Sequence, residues 1–396
     1  MTTNRPRCPV CSHTTKKNGT TSKGTTRWRC TDCGHSFVRT TQHDHPHAAT
    51  MRTFITWVTG TQSLTALAEH HGRHRNTLSR RMSWCWWIIP PSAVDPHRIH
   101  DQIFLDATFL ASGCLLIAAS RTHIINWTWA RTETTAAYRE LISPIPAPLM
   151  AVIDGGQGAA SAITSTWPTT IIQRCLVHAQ RVVRRHTTSR PRTDAGKTIY
   201  RLALQLTRIT TLDQAAEWTA HLQQFGAVYQ DWLNQKTTVQ DPVTRQYKQV
   251  FTHPRVRAAY HSLLSLYRRK LLFNYLQPPA GAVDPDRFAP TTNVLEGGFN
   301  APVKELARRH RGLSRPHQRT VIDWWLYLKT QTPDDPVAIA RSQSWGQVAL
   351  STAQDLVNHE NTRPDINGIG APAGYDTAID SSYQHSMGIQ QGWIGR

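Results

Sequence analysis

Apolar and polar positions along the chain sort it into segments of different period. IFLDATFL, at 103–110, is apolar at nearly every position apart from Asp106 and Thr108, as a strand buried on both faces would be. CLLIAAS and HIINWTWA predict two further strands, TTAAYRELI a helix, and LMAVID a buried strand that ends at Asp154 before GGQG. TIIQRCLVHAQRVVRRH then predicts a short strand running into a helix. Three successive strands followed by helix, strand, helix, strand and helix make a mixed α/β sheet. From about 187 to 285 the period turns helical, through RLALQLTRI, LDQAAEWTAHLQQF and VRAAYHSLLSLYRRKLLFNYL. The last of these carries an apolar stripe of Val256, Ala259, Tyr260, Leu263, Leu266 and Tyr267. The pattern therefore predicts an all-α insertion that interrupts the α/β module, which resumes in TTNVLEGGFNAPVKELARRHRGLS. After about 340 the periodicity fades, and GIGAPAGYDTAIDSSYQHSMGIQQGWIGR reads as a weakly ordered tail.

Two smaller patterns precede the α/β module. CPVC and CTDC, with eighteen residues between them, set Cys8, Cys11, Cys30 and Cys33 at the spacing of a closed tetrahedral site for one structural zinc. Lys16, Lys17, Arg27 and Arg29 lie between the pairs, so this predicted zinc ribbon is expected to touch phosphates; use as a structural or protein-binding clip is the alternative. SLTALAEHHGRHRNTLSRRMSWCWW places Ala68, Gly72 and Leu78 as a helix-turn-helix requires, with small Ala68 at the helix contact and Gly72 in the turn. Its second helix would present Asn76, Thr77, Ser79, Arg80 and Arg81 to a major groove, and Trp84, Trp86 and Trp87 would continue that helix as core. PPSAVDP at 90–96 reads as a linker.

Charge narrows the choice of partner. Among 396 residues, 45 Lys and Arg stand against 26 Asp and Glu, a formal net charge of +19, which points to an anionic partner and first of all to nucleic acid. Arg268, Arg269, Lys304, Arg308 and Arg311 add candidate phosphate contacts to those above. With no long apolar run and no signal-like N-terminal segment, the expectation is a soluble cytoplasmic protein with no membrane role. Seven cysteines, four of them in two tight pairs, argue against a disulfide framework.

The candidate chemistry lies in three carboxylates. Asp106 sits in the middle of an apolar strand, where an unpaired charge is costly, and Asp154 sits where a strand ends before glycines, at the usual mouth of an α/β sheet. Glu296, from a later helix, would close the group. Each alone is an ordinary strand-end or surface acid. Together they suggest a site for two Mg²⁺ ions about 3.5 to 4 Å apart, with Mn²⁺ as a substitute, suited to phosphodiester chemistry. Gly297, Gly298 and Pro302 predict a kink after Glu296, while Thr292 or Asn293 would cap the helix before it.

The order IFLDATFL, VIDGG, CLVH and TTNVLEGGFN, with a long helical insertion before the last, resembles the Mutator-like bacterial insertion-sequence transposases over residues 100–330. The resemblance implies a DDE enzyme with an RNase H-like catalytic domain, in which Asp106, Asp154 and Glu296 bind metal and Cys175 and His178 match the family's C-x-x-H. The resulting expectation is a zinc ribbon at 1–48, a helix-turn-helix at 49–90, catalytic segments at 98–186 and 286–335, a helical insertion at 187–285 and a partly disordered extension at 336–396. It implies DNA as partner, both terminal inverted repeats and target, and a homodimer or higher oligomer on that DNA. A DNA-binding regulator derived from a transposase and an RNase H-like nuclease without strand transfer are the alternatives.

Overall fold

The computed structural model describes residues 5–8, 13–22, 24–38, 46–347 and 349–353, arranged as two compact units, 1–54 and 55–396. The first unit holds an antiparallel meander of β1 (Thr15–Thr20), β2 (Thr26–Cys30) and β3 (Ser36–Val38). Alternation along β2 buries Trp28 and leaves Arg27 and Arg29 exposed on the other face. The register sets Lys16 directly opposite Arg29, a like-charge pair that favours an anion over that face. Residues 46–59 form α1 (Pro46–Thr59).

In the second unit, α2 (Leu64–His70) and α3 (Arg75–Arg81) are joined through Gly72, whose φ of +60° suits glycine, and Ala68 and Leu78 are both buried. The tryptophans that follow do not continue α3. They form a separate 3₁₀ turn, Ser83–Trp87, in which Trp86 stacks on His317 and Trp84 meets Trp345 edge-on, while Trp87 stays exposed.

A five-stranded mixed sheet supplies the frame for the acids. Its strands are β4 (Gln102–Leu110), β5 (Gly113–Ala119), β6 (Ile124–Ala130), β7 (Met150–Ile153) and β8 (Ile171–Arg174), in the order β6-β5-β4-β7-β8. β4, β5 and β6 pair antiparallel, and β4, β7 and β8 pair parallel. The parallel connections run through α4 (Thr135–Ile142) and α5 (Gln157–Thr166), which pack Tyr138, Leu141, Ala159 and Ile163 into a core with Ile103, Leu105, Leu116 and Ile153. α6 (Leu176–Thr187) leaves β8 directly.

The insertion departs from the expected all-α form. It contains α7 (Asp194–Gln205), α8 (Leu212–Asn234) and α9 (Pro254–Arg268), but also an antiparallel hairpin of β9 (Lys236–Gln240) and β10 (Tyr247–Phe251). Thr237, Thr238 and Val239 are β-branched, and Asp241 takes the backbone N–H groups of Val243 and Thr244 in the turn, so local chemistry favours strands there. α9 ends at Arg268, and Leu272 and Tyr275 return to a core shared with α6, α7 and α8.

The chain then forms α10 (Asn293–Leu295), α11 (Ala301–Arg309), α12 (Arg315–Tyr327) and α13 (Pro336–Ser342). α13 buries Val337, Ile339 and Ala340, so the segment after 336 begins as packed structure; residues 354–396, where the weakly ordered tail was expected, lie outside the described residues. No described helix is long and apolar enough to cross a membrane.

α12 is pinned to β6 by Asp323, whose Oδ1 accepts the indole N–H groups of Trp127 and Trp129, both at 2.8 Å. Burial pushes this carboxyl up to about 6, against the lowering effect of the two indoles and Arg319. The unfolded value lies near 3.9, so the folded state binds more protons between the two values. Stability therefore falls as pH rises through that window and levels off above it. Asp323→Asn keeps an acceptor for the indoles and cannot ionise, so its melting temperature is expected to exceed the parent's by a few degrees at about pH 7.5 and by only about a third of that gap at about pH 4.5. An equal gap at both pH values would contradict this assignment.

Candidate active site

The register of β4 with β7 runs to the pair Leu105↔Ile153, so Asp106 and Asp154 are the next residues on adjacent strands. Asp106 is 7% exposed and lies within the strand. Asp154 is half-buried where the chain leaves the sheet, and its Oδ1 accepts the backbone N–H of Gly156 at 2.9 Å. The exit is sharp because Gly155 takes a φ of +102°.

Glu296 reaches the same end from α10. The kink expected from Gly297, Gly298 and Pro302 takes the form of a π turn, Glu296–Asn300, that leads without a break into α11. Proline has no N–H to give the preceding turn, and the wider turn accommodates that loss. Glu296 and Asn300 project to one side, and Asn300 Nδ2 donates to Asp106 Oδ2 at 2.7 Å. Thr292 occupies the position before α10 without a side-chain cap. Its backbone N–H and hydroxyl both donate to Cys175 Sγ at 3.3 Å, which corrects the capping role expected for it.

Cys175 and His178 thus lie beside the segment that carries Glu296. Cys175 is fully buried at the start of α6, and His178 Nε2 lies 3.5 Å from Glu296 Oε1. One turn on, Arg181 grips Glu296 with both terminal nitrogens, at 2.7 and 2.9 Å, and holds this carboxyl below its ordinary value. Asp106 behaves oppositely. Burial pushes it up to about 6, and Asp154 and Glu296 add to the rise. A fourth acid, Glu133, stands beside Asp154; burial and then the charge of Asp154 raise its carboxyl.

The three carboxylates therefore share one end of the sheet, and Asp106 feels the charge of the other two. They do not form a closed ligand shell. Among the described residues only Cys8, Cys30 and Cys33 bring three ligand atoms within 4.8 Å of one another. Those three thiols could hold a metal ion; Cys8 and Cys30 are buried, Cys33 is exposed, and Cys11 lies outside the described residues.

The predicted phosphate contacts fall in several places. Lys16, Lys17, Arg27, Arg29, Asn76, Arg80, Arg81, Arg268, Arg269, Lys304 and Arg311 are exposed. Arg308 is exposed too, but it is paired with Glu305 through two bonds of 2.8 and 2.9 Å. Ser79, expected to face a groove, is also exposed and borders a cleft of about 670 Å³ with Arg75, Arg309 and His317.

Sequence reasoning missed Arg181, Asn300, Glu133 and Arg174. Helical spacing held a signal for two of them, because Arg181 follows His178 by three positions and Asn300 follows Glu296 by four. Compared with family models and with curated proteins, the sequence matches none.

Proposed function

We propose that this chain is a DNA transposase of the insertion-sequence type, with an RNase H-like catalytic domain, that cuts at the ends of its element and joins the freed 3′-hydroxyl to target DNA. The observation that carries the reading is the meeting of Asp106, Asp154 and Glu296, from β4, the end of β7 and the π turn, at one end of the sheet in a chain of net charge +19. The residues fit hard divalent cations. Their oxygens are acceptor-only, the Asp106 charge is opposed by burial and by two neighbouring acids, and the buried Asn300 Oδ1 beside it has no donor. Asp106, Asp154 and Glu296 would hold two Mg²⁺ ions, or Mn²⁺, which activate the attacking oxygen and stabilise the leaving one.

The other groups have separable tasks. Asn300 orients Asp106 through its 2.7 Å hydrogen bond. Arg181 neutralises Glu296 and so competes with a cation for that carboxylate; a DNA phosphate drawn to Arg181 would free it. The exposed Lys16, Arg27 and Arg29 face of the first unit and Asn76, Arg80 and Arg81 of α3 would bind the terminal inverted repeats, with one zinc on Cys8, Cys11, Cys30 and Cys33 holding the ribbon. Pairing two element ends requires a dimer or larger assembly, acting on chromosomal DNA in a bacterial cytoplasm.

The Arg181–Glu296 clamp favours one second reading, a DNA-binding regulator whose acids no longer bind metal. Incubation of the full chain with plasmid and a labelled oligonucleotide in Mg²⁺ separates the readings. Metal-dependent nicks with joined oligonucleotide are expected. Nicks without joining would indicate a nuclease, and binding without nicks the regulator.

A further inference from the structure

Behind Asp154 lies a cavity of about 400 Å³, lined among others by Gly155, Gln157, Ser161, Arg174, Ser262 and Arg269, with no acidic side chain in its wall. Arg174, the last residue of β8, is only 9% exposed. Its guanidinium packs against Gly155: a Cβ there would fall 1.4 Å from Nη1 and 1.8 Å from Cζ, so the close approach depends on glycine at that position. Nη1 is buried and has no hydrogen-bond partner. A buried cationic donor left without an acceptor is costly, and structures retain one where a ligand or ion supplies the missing acceptor.

A second, independent feature points into the same space. α5 is ten residues long and follows Gly156, whose own N–H donates to Asp154 Oδ1 but which carries no side chain to cap the helix's first N–H groups. Its first turn, Gln157 onward, borders the cavity together with Arg174. An uncapped helix N-terminus and an unpartnered guanidinium are the two donors that bind phosphate best, the first through aligned amides and the second through a planar fork. Ser161 and Ser262 add hydroxyls, and exposed Arg269 adds a second positive charge at the mouth.

We infer that the cavity formed by Arg174, the N-terminus of α5 and Arg269 is a phosphate-binding site separate from the three carboxylates, built to hold one backbone phosphate of the DNA strand that enters the acid site. The phosphate chemistry follows from these donors alone; its origin in DNA rests on the proposed function. A phosphate fixed here lies next to Asp154 and sets the register of the strand whose neighbouring bond is cut. Arg174 then has a positioning task, and its pairing in the bound state is with the ligand rather than with a protein carboxylate.

The test uses the full chain with inorganic phosphate in one arm and a 20-nucleotide duplex in the other. Arg174 is buried and its replacement risks the fold, so the main variant is Ser161→Glu, which puts a carboxylate at the cavity from an exposed position. Arg192→Glu, exposed and not part of the cavity wall, controls for net charge. Phosphate affinity, read by ³¹P line broadening and thermal shift, is expected to fall about tenfold in Ser161→Glu and to stay within about twofold in Arg192→Glu. Duplex affinity is expected to fall in Ser161→Glu by more than in Arg192→Glu. Loss of phosphate binding with unchanged duplex binding would support the anion site and remove DNA as its source. Equal phosphate and duplex binding by wild type and Ser161→Glu would overturn the proposal and leave Arg174, whose charge Asp154 favours against the cost of burial, as a counter-ion of that carboxylate.

Discussion

Asp106→Asn and Asp154→Asn are each expected to lose Mg²⁺-dependent DNA nicking by about three orders of magnitude or more while the protein stays folded. Both changes keep side-chain volume and remove a charge that divalent cations require. Asp106→Asn carries a second expectation. The parent carboxylate is 7% exposed and faces two other acids, so its charge opposes folding. The amide removes that repulsion and still accepts from Asn300. Its melting temperature near neutral pH is therefore expected to rise by a few degrees as nicking disappears. A residue with a purely structural task would lose both together. Glu305→Gln serves as control, although Glu305 pairs with Arg308 and Arg309, so a change of a few-fold through those arginines is expected there.

Removal of metal from the cysteine cluster of the first unit is expected to unfold the β1–β3 meander. The three-stranded meander of that unit buries few side chains, among them Cys8, Trp28 and Cys30. So small a core supplies little stability of its own. Zinc bound by thiolates contributes on the order of 10 kcal/mol, enough to decide whether such a module folds. Chelation, or Cys30→Ser in the full chain, is expected to remove about one zinc per chain and to collapse the amide dispersion of β1–β3 in NMR spectra while the five-stranded sheet persists. A Cys30→Ser protein with full zinc content and an intact meander would rule the assignment out.

The sheet and two of its acids were readable because strand burial leaves a strong mark. IFLDATFL and LMAVID are apolar on both faces, so the acids inside and after them stand out. The hairpin β9–β10 was hidden because Lys236–Gln240 and Tyr247–Phe251 are mostly exposed and carry little apolar alternation, and the neighbouring helical periods dominated the reading. The clamp on Glu296 was hidden for another reason. Arg181 lies among other cations in HAQRVVRRH, and nothing local says which of them turns toward a carboxylate 115 positions away. Arg174 was read as part of a strand, since an unpartnered guanidinium is visible only when the surrounding atoms are in place. Thr292 looked like a cap because its type and position suit one; the thiol of Cys175, distant in sequence, engages it instead.

The central claim is that Asp106, Asp154 and Glu296 together hold divalent cations, and Mn²⁺ binding to the zinc-loaded full chain, counted by electron paramagnetic resonance, tests it most directly. Wild type is expected to bind Mn²⁺ in competition with Mg²⁺, while Asp106→Asn and Asp154→Asn lose that binding at unchanged zinc content. Glu296→Gln should weaken it about tenfold or more, because one charged ligand is gone. Mn²⁺ binding of equal affinity and number in wild type and in all three variants would contradict a metal centre at this end of the sheet.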